Sequence, residues 1–186
     1  MEIAENRVTD RTMDGLGLLE RILMTSDGTV TIMLEQIVGE PIATAGLAHS
    51  VAPVDPDTAA VLPFPVSSLI RRTTRLVGAS TGTLYVRATS VFSPDALPKR
   101  VCAALRRTDE PIGRLLRRER VESFREILSI EVPDDAGPPE PRRRYLICIG
   151  GRPAVHIEEI FTASCFTSSG NGPSVARGMI NRRLRS

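Results

Sequence analysis

Two pairs of strand-like runs, each broken by glycine, constrain the fold more than anything else in this chain. The first pair is Leu69 to Val77 and Thr83 to Phe92, separated by Gly78 to Gly82. The second is Arg144 to Ile149 and Ala154 to Phe161, separated by Gly150-Gly151, a dipeptide suited to a primed turn. Runs rich in Val, Ile, Thr and aromatic residues around such turns predict β-hairpins. A two-residue or short glycine connection joins only antiparallel neighbours, so the sheet must be antiparallel at both places.

The remaining segments are arranged around these hairpins. Thr9 to Leu23 carries a helical pattern with Met13, Leu16, Leu19, Ile22 and Leu23 on one side, and Thr9 or Asp10 suits an N-cap. Ser26-Asp27-Gly28 predicts a turn. Thr29 to Val38 is rich in β-branched residues and predicts a strand, and Pro41 to Val51 a weaker one. Pro53 to Pro65 holds four prolines and predicts a loop. Ser93 caps a helix expected over Ala96 to Arg107, and Pro111 opens a short helix through Arg118. Phe124 to Val132 predicts a further strand and Pro133 to Pro141 a polar loop. The pattern is α+β: one antiparallel sheet with helices covering one face. Residues 1–166 form one domain in this reading, and 167–186 a basic, flexible C-terminal tail.

Composition excludes several functions. All but one of the 24 basic residues are arginine, Lys99 being the single lysine, which argues against Schiff-base chemistry. Arginine instead suits forked recognition of carboxylates. A net charge of +2 gives no ground for a nucleic-acid partner. Cys102, Cys148 and Cys165 are too widely spaced for a zinc site and odd in number, and are expected as reduced thiols. His49 and His156 are far apart in sequence, so a histidine metal site is not expected. MEIAENRVTD is too acidic for a signal peptide, and no apolar run reaches the roughly 20 residues of a membrane span. A cytoplasmic protein is expected. Gly15 and Gly17 lie inside a helical pattern without a preceding strand and make no phosphate loop.

Strand alternation picks out two charges on an apolar face. In Leu69 to Val77, Arg71, Thr73 and Arg75 share one face, while Arg72 falls with Ile70, Thr74 and Leu76. In Ala154 to Phe161, Glu159 falls with Val155, Ile157 and Phe161, while His156 and Glu158 take the other face, where His156 is expected at a rim. An inward arginine and an inward glutamate are costly unless partnered. Either Arg72 and Glu159 pair with each other as a buried structural ion pair, or both face a ligand pocket. In the second case Arg72 would hold a carboxylate, and Glu159 would meet a hydroxyl or take part in proton transfer. The clusters Arg117-Arg118, Arg142-Arg143-Arg144 and Arg182-Arg183 are expected to be solvated.

Four segments in this order resemble the chorismate pyruvate-lyase family: SDGTVTIMLE (Ser26 to Glu35), LIRRTTRLVG (Leu69 to Gly78), TDEPIGRLL (Thr108 to Leu116) and GGRPAVHIEEIFTASCF (Gly150 to Phe166). The last is the most specific, with its glycine turn, proline, strand, glutamate, apolar residue and phenylalanine. The resemblance is nearest to the bacterial group that feeds 4-hydroxybenzoate into glycolipid or other secondary pathways. It implies an antiparallel sheet of six strands with helices on one side and a ligand buried under flap-like segments. It implies that Arg72 binds the ring carboxylate and Glu159 the ring hydroxyl. It further implies that Gly28, Thr29, Ile112 and Gly113 line the substrate pocket.

The activity so implied is elimination of the enolpyruvyl group of chorismate, giving 4-hydroxybenzoate and pyruvate. Aromatisation supplies much of the driving force, so no cofactor or metal is expected. The protein has to orient the substrate, balance its charge and manage a proton. A second cation is expected for the pyruvyl carboxylate, and alternation does not identify it. The competing expectation is a non-catalytic or repurposed aromatic-acid-binding domain of the same fold, of the effector-sensing type. Regulators of that type carry a DNA-binding winged helix first, for which a first strand at Thr29 leaves too little chain.

Overall fold

Both hairpins form. In the computed structural model, which describes residues 13, 16–51, 56–64, 69–133, 140–163 and 165, β2 (Ile70–Gly78) pairs with β3 (Leu84–Phe92), and β5 (Arg142–Ile149) with β6 (Arg152–Phe161). Gly150 and Gly151 both adopt positive φ, 57° and 75°, as a primed turn requires. Strand β1 (Ile42–Ser50) pairs with β2, and β4 (Ser123–Glu131) with β5. The sheet has six antiparallel strands in the order β1-β2-β3-β6-β5-β4. The expected α+β class and strand number hold.

The sheet face bearing Arg72, Thr74, Leu76, Val86, Ala88, Ile157, Glu159 and Phe161 is covered by helices. At one end α1 (Leu18–Thr25) and α2 (Val30–Val38) bring Leu23, Met24, Val30 and Leu34 against Leu76, Val86 and Phe161. At the other, α4 (Lys99–Leu105) and α5 (Ile112–Arg118) bring Val101, Leu105, Leu115 and Leu116 against Tyr145, Ile147 and Ile157. Each large apolar side chain removed from water here contributes roughly 1.5–3 kcal/mol. Among the described residues no helix is long and apolar enough to cross a membrane.

Four local expectations are corrected. Thr29 to Val38 is the helix α2, not a strand. Its β-branched start suggests a strand, but Val30 and Leu34, with Met33, Ile37 and Val38, recur at three- and four-residue intervals and all pack into one cluster. Gly39 then ends the helix in the left-handed region, φ 72°. The first helix spans Leu18 to Thr25, with Gly17 at its N-cap. Thr9 to Thr12, Asp14 and Gly15 lie outside the described residues, as does the expected tail, 167–186. The helix buries Leu23 and Met24 and leaves Leu19 and Ile22 exposed. The helix expected over Ala96 to Arg107 is divided by Pro98, which sits at the N-cap of α4, so Ser93 caps only a 3-10 turn (Pro94–Ala96). The stretch expected as a loop from Pro53 contains α3 (Pro56–Val61). Val61, Leu62 and Phe64 pack there on Val91, Leu146 and Cys148, the sheet face opposite Glu159.

Candidate functional site

A narrow cavity lies between the two halves of the helical layer. Its floor is sheet: Arg72, Thr74 and Leu76 of β2, Ala88 and Ser90 of β3, Tyr145 of β5, and Ile157 and Glu159 of β6. Its roof is made by the starts of two helices, Thr29, Val30 and Thr31 at α2 and Pro111, Ile112 and Gly113 at α5. Arg125 of β4 reaches in from the side.

Arg72 and Glu159 both open on this space, and they do not pair with each other. Register places Arg72 opposite Ser90, and Ser90 opposite Ile157, while Glu159 lies opposite Ala88. The two are thus two strands across and two residues along from each other, about 12 Å between Cα atoms. Arg72 is 2% exposed. Its Nη2 donates to the Glu110 carbonyl (2.9 Å), and its buried Nε has no hydrogen-bond partner among the described residues. Burial lowers its pKa; the charge of Asp109, exposed and outside ion-pair contact, works the other way. Among the described residues no carboxylate forms an ion pair with Arg72. A buried cation with an idle donor in a cavity wall has the chemistry to receive an anion.

Glu159 has a different partner. Arg143 Nε donates to its Oε2 at 2.9 Å and Tyr145 Oη to its Oε1 at 3.1 Å. Arg143 is itself 1% exposed, which corrects its expected place in a solvated cluster. Its Nη1 donates to the carbonyls of Leu23 (2.7 Å) and Ser26 (2.9 Å) at the end of α1, and its guanidinium lies over the rings of Tyr145 and Phe161. Burial opposes the charged form of Arg143, but Glu159 and Tyr145 outweigh it and its pKa rises. Burial, then the Glu159 charge, push the Tyr145 hydroxyl upward, so it remains a donor. The result is a fixed carboxylate whose orientation is set from two sides.

Thr29, Ile112 and Gly113 are brought to the cavity wall. Gly28 is not among the lining residues; its amide donates to Ser26 Oγ in the turn before α2. His156, expected at a rim, is buried on the opposite face, with Nδ1 3.4 Å from Thr58 Oγ1. Arg117 and Arg118 are exposed as expected, Arg118 pairing with Glu110 and Glu119, while Arg182 and Arg183 lie outside the described residues. Cys102, Cys148 and Cys165 are free thiols. Sequence reasoning missed Arg143, Tyr145 and Arg125. Alternation would have found the first two: Arg143, Tyr145 and Ile147 share one face, but a strand begun at Arg144 cuts Arg143 off.

Comparison with known proteins is consistent with this geometry. The family model described as chorismate pyruvate-lyase Rv2949c-like matches residues 24–167. A chorismate pyruvate-lyase of Mycobacterium leprae is 27% identical over 157 residues, covering 78% of this chain and 75% of that protein. One of Mycobacterium tuberculosis is 26% identical over 160 residues, covering 78% and 80%. Among solved structures, PhnF of Mycobacterium smegmatis superposes with a TM-score of 0.53 at 14% identity, over 75% of this chain and 66% of that one. Its isolated effector domain gives 0.50 at 13%, over 74% and 90%. At such identities the structural likeness concerns the fold alone.

Proposed function

Because this chain belongs to the Rv2949c-like chorismate pyruvate-lyase family, we propose that it splits chorismate into 4-hydroxybenzoate and pyruvate without a cofactor. The observation that carries the reading is that Arg72, a buried cation with no carboxylate partner among the described residues, shares one cavity with Glu159, a carboxylate held fixed by Arg143 and Tyr145. Their separation suits a ring with a carboxylate at one end and a hydroxyl at the other. The named activity of the mycobacterial relatives supports the same substrate.

In this reading Arg72 neutralises the ring carboxylate and fixes the ring. Glu159 accepts a hydrogen bond from the ring hydroxyl, beside the carbon that gives up its hydrogen. The electron pair of that C–H bond becomes the third double bond of the ring. The ether C–O bond breaks, and its electrons leave with the enolpyruvyl oxygen. A proton taken up at the methylene carbon then gives pyruvate. Glu159 is placed to assist the proton's departure, and the apolar walls, Leu76, Ala88, Ile112 and Ile157, keep water from the ring. The cavity is narrow, so the starts of α2 and α5 part to admit the substrate.

The test is to supply purified protein with chorismate alone and follow both products. Equal amounts of pyruvate and 4-hydroxybenzoate, lost in Arg72→Ala and in Glu159→Ala, are the expected result. No turnover together with tight binding of 4-hydroxybenzoate would replace the lyase by an aromatic-acid-binding domain.

A further inference from the structure

Counted together, the ionised side chains at the cavity are out of balance, and the imbalance sits at two places. Arg143 cancels Glu159 by direct contact. Arg72, at the floor, donates to the Glu110 carbonyl and has no ion pair among the described residues. Arg125 supplies a second positive charge from β4. It is partly buried, lines the cavity, and forms no ion pair with a carboxylate among the described residues. Its Nη1 donates to the Asp27 carbonyl at 2.9 Å, which fixes the guanidinium beside the turn before α2. The other arm of the fork points to Gly113. A Cβ built there would stand 3.1 Å from Arg125 Nη2, 3.2 Å from Thr29 Cγ2 and 3.6 Å from Thr29 Oγ1. Arg125 Nη2 and the Thr29 side chain therefore pack directly against the bare Cα of Gly113, where any side chain would crowd them, and both line the cavity. The Arg125 charge also reaches Tyr145, the donor to Glu159.

From this arrangement we infer that the cavity is built for a dianion and that Arg125, with Thr29, binds its second carboxylate. The inference rests on the ring-acid reading above and makes it more specific. Arg72 takes the carboxylate on the ring, and Arg125 takes the one on the side chain beside the hydroxyl. Two carboxylates meet two guanidinium groups that have no ion pair among the described residues, and the ligand leaves no net charge in a site of low dielectric. Once the ether bond breaks, each carboxylate belongs to a different molecule. Pyruvate then holds only the site at Arg125, and the aromatic acid only the one at Arg72. Arg125 is thus a specificity residue that separates the dianionic substrate from the monoanionic product.

Two probes that cannot react test this directly: 4-hydroxybenzoate, with one carboxylate, and 3-(carboxymethoxy)-4-hydroxybenzoate, with two. Each is titrated calorimetrically into the native protein and into Arg125→Gln, Arg125→Lys and Arg72→Gln. The native protein should prefer the dicarboxylate. Arg125→Gln should lose about tenfold or more for the dicarboxylate and less than about twofold for 4-hydroxybenzoate, with Arg125→Lys between. Arg72→Gln should weaken both probes. Thermal unfolding of each variant separates a local loss from a failure to fold, and Arg125→Lys keeps the charge should Arg125→Gln unfold. An unchanged preference in Arg125→Gln, or equal loss of both probes, overturns the role of Arg125 and leaves the ring-acid reading standing. Failure of the native protein to bind either probe overturns that reading, and this inference with it.

Discussion

Arg143 and Glu159 face each other in register across β5 and β6, with Nε 2.9 Å from Oε2 and side chains 1% and 7% exposed. Both charges have left water, and each is tolerated only because the other is there. The same arginine ties the end of α1 to the sheet through the carbonyls of Leu23 and Ser26. One side chain therefore couples the helical layer to the carboxylate of the candidate site.

Removing one member of that pair strands the other. Arg143→Ala leaves Glu159 buried without its cation and frees the end of α1, and should cost about 3–5 kcal/mol of stability. Urea unfolding followed by circular dichroism measures it. A loss below about 1 kcal/mol would mean that the pair is hydrated and contributes little.

Arg72 is expected to behave in the opposite way. Its charge is buried, and among the described residues its Nε has no partner and no ion pair offsets its desolvation. Arg72→Met keeps the length of the side chain and loses one hydrogen bond, to the Glu110 carbonyl. The variant should be at least as stable as the native protein, yet bind 4-hydroxybenzoate about a hundredfold or more weaker, the loss expected for a charge-assisted bidentate contact. A destabilisation above about 2 kcal/mol would show that Arg72 is chiefly structural.

Acid should loosen the roof of the cavity through Glu35. This residue, on α2, accepts from the Ile42 amide (3.1 Å) at the start of β1 and pairs with Arg114 of α5. Burial alone would raise its pKa, but the Ile42 hydrogen bond and Arg114 overcome that and hold it below 4.5. A depressed folded-state pKa contributes stability that is present above the unfolded value and lost as pH falls through the folded one. Stability should therefore fall below about pH 4.5, and Glu35→Gln should flatten that part of the curve while being less stable near pH 7. Denaturant unfolding of the two proteins at several pH values would show parallel curves if Glu35 played no part.

The sheet was legible in the sequence because its signal is local. Alternation and two glycine turns place β2, β3, β5 and β6, and alternation alone turns Arg72 and Glu159 inward. What was not legible depended on contacts between distant segments. Thr29 to Ile32 has strand-like residues, yet the packing of Val30 and Leu34 against Leu76 and Phe161 makes that segment helical. The partner of Glu159 depended on strand order: β2 and β6 are separated by β3, so Arg72 could not reach across, whereas Arg143 on the adjacent strand could. Arg125 was hidden by the bulge between Ile127 and Ser129, which breaks the alternation of β4.

Gly113 joins the local and the distant effects in one atom. It is the second residue of α5 and has no positive φ, so alanine there should favour the helix, though by less than the roughly 1 kcal/mol of a helix interior. The added methyl would meet Arg125 Nη2 at 3.1 Å and Thr29 Cγ2 at 3.2 Å, closer than either side chain tolerates without moving. Arg125 gives way more easily, because its side chain is long while Thr29 is branched at Cβ beside the start of α2. Gly113→Ala should therefore unfold no earlier than the native protein while its affinity for a two-carboxylate ring acid falls about tenfold. Differential scanning calorimetry gives the first quantity and isothermal titration the second. A stable variant with native affinity would show that the close packing of Arg125 and Thr29 against Gly113 does not matter for binding. A destabilised one would place the clash on the backbone of α2 and α5 instead of on Arg125.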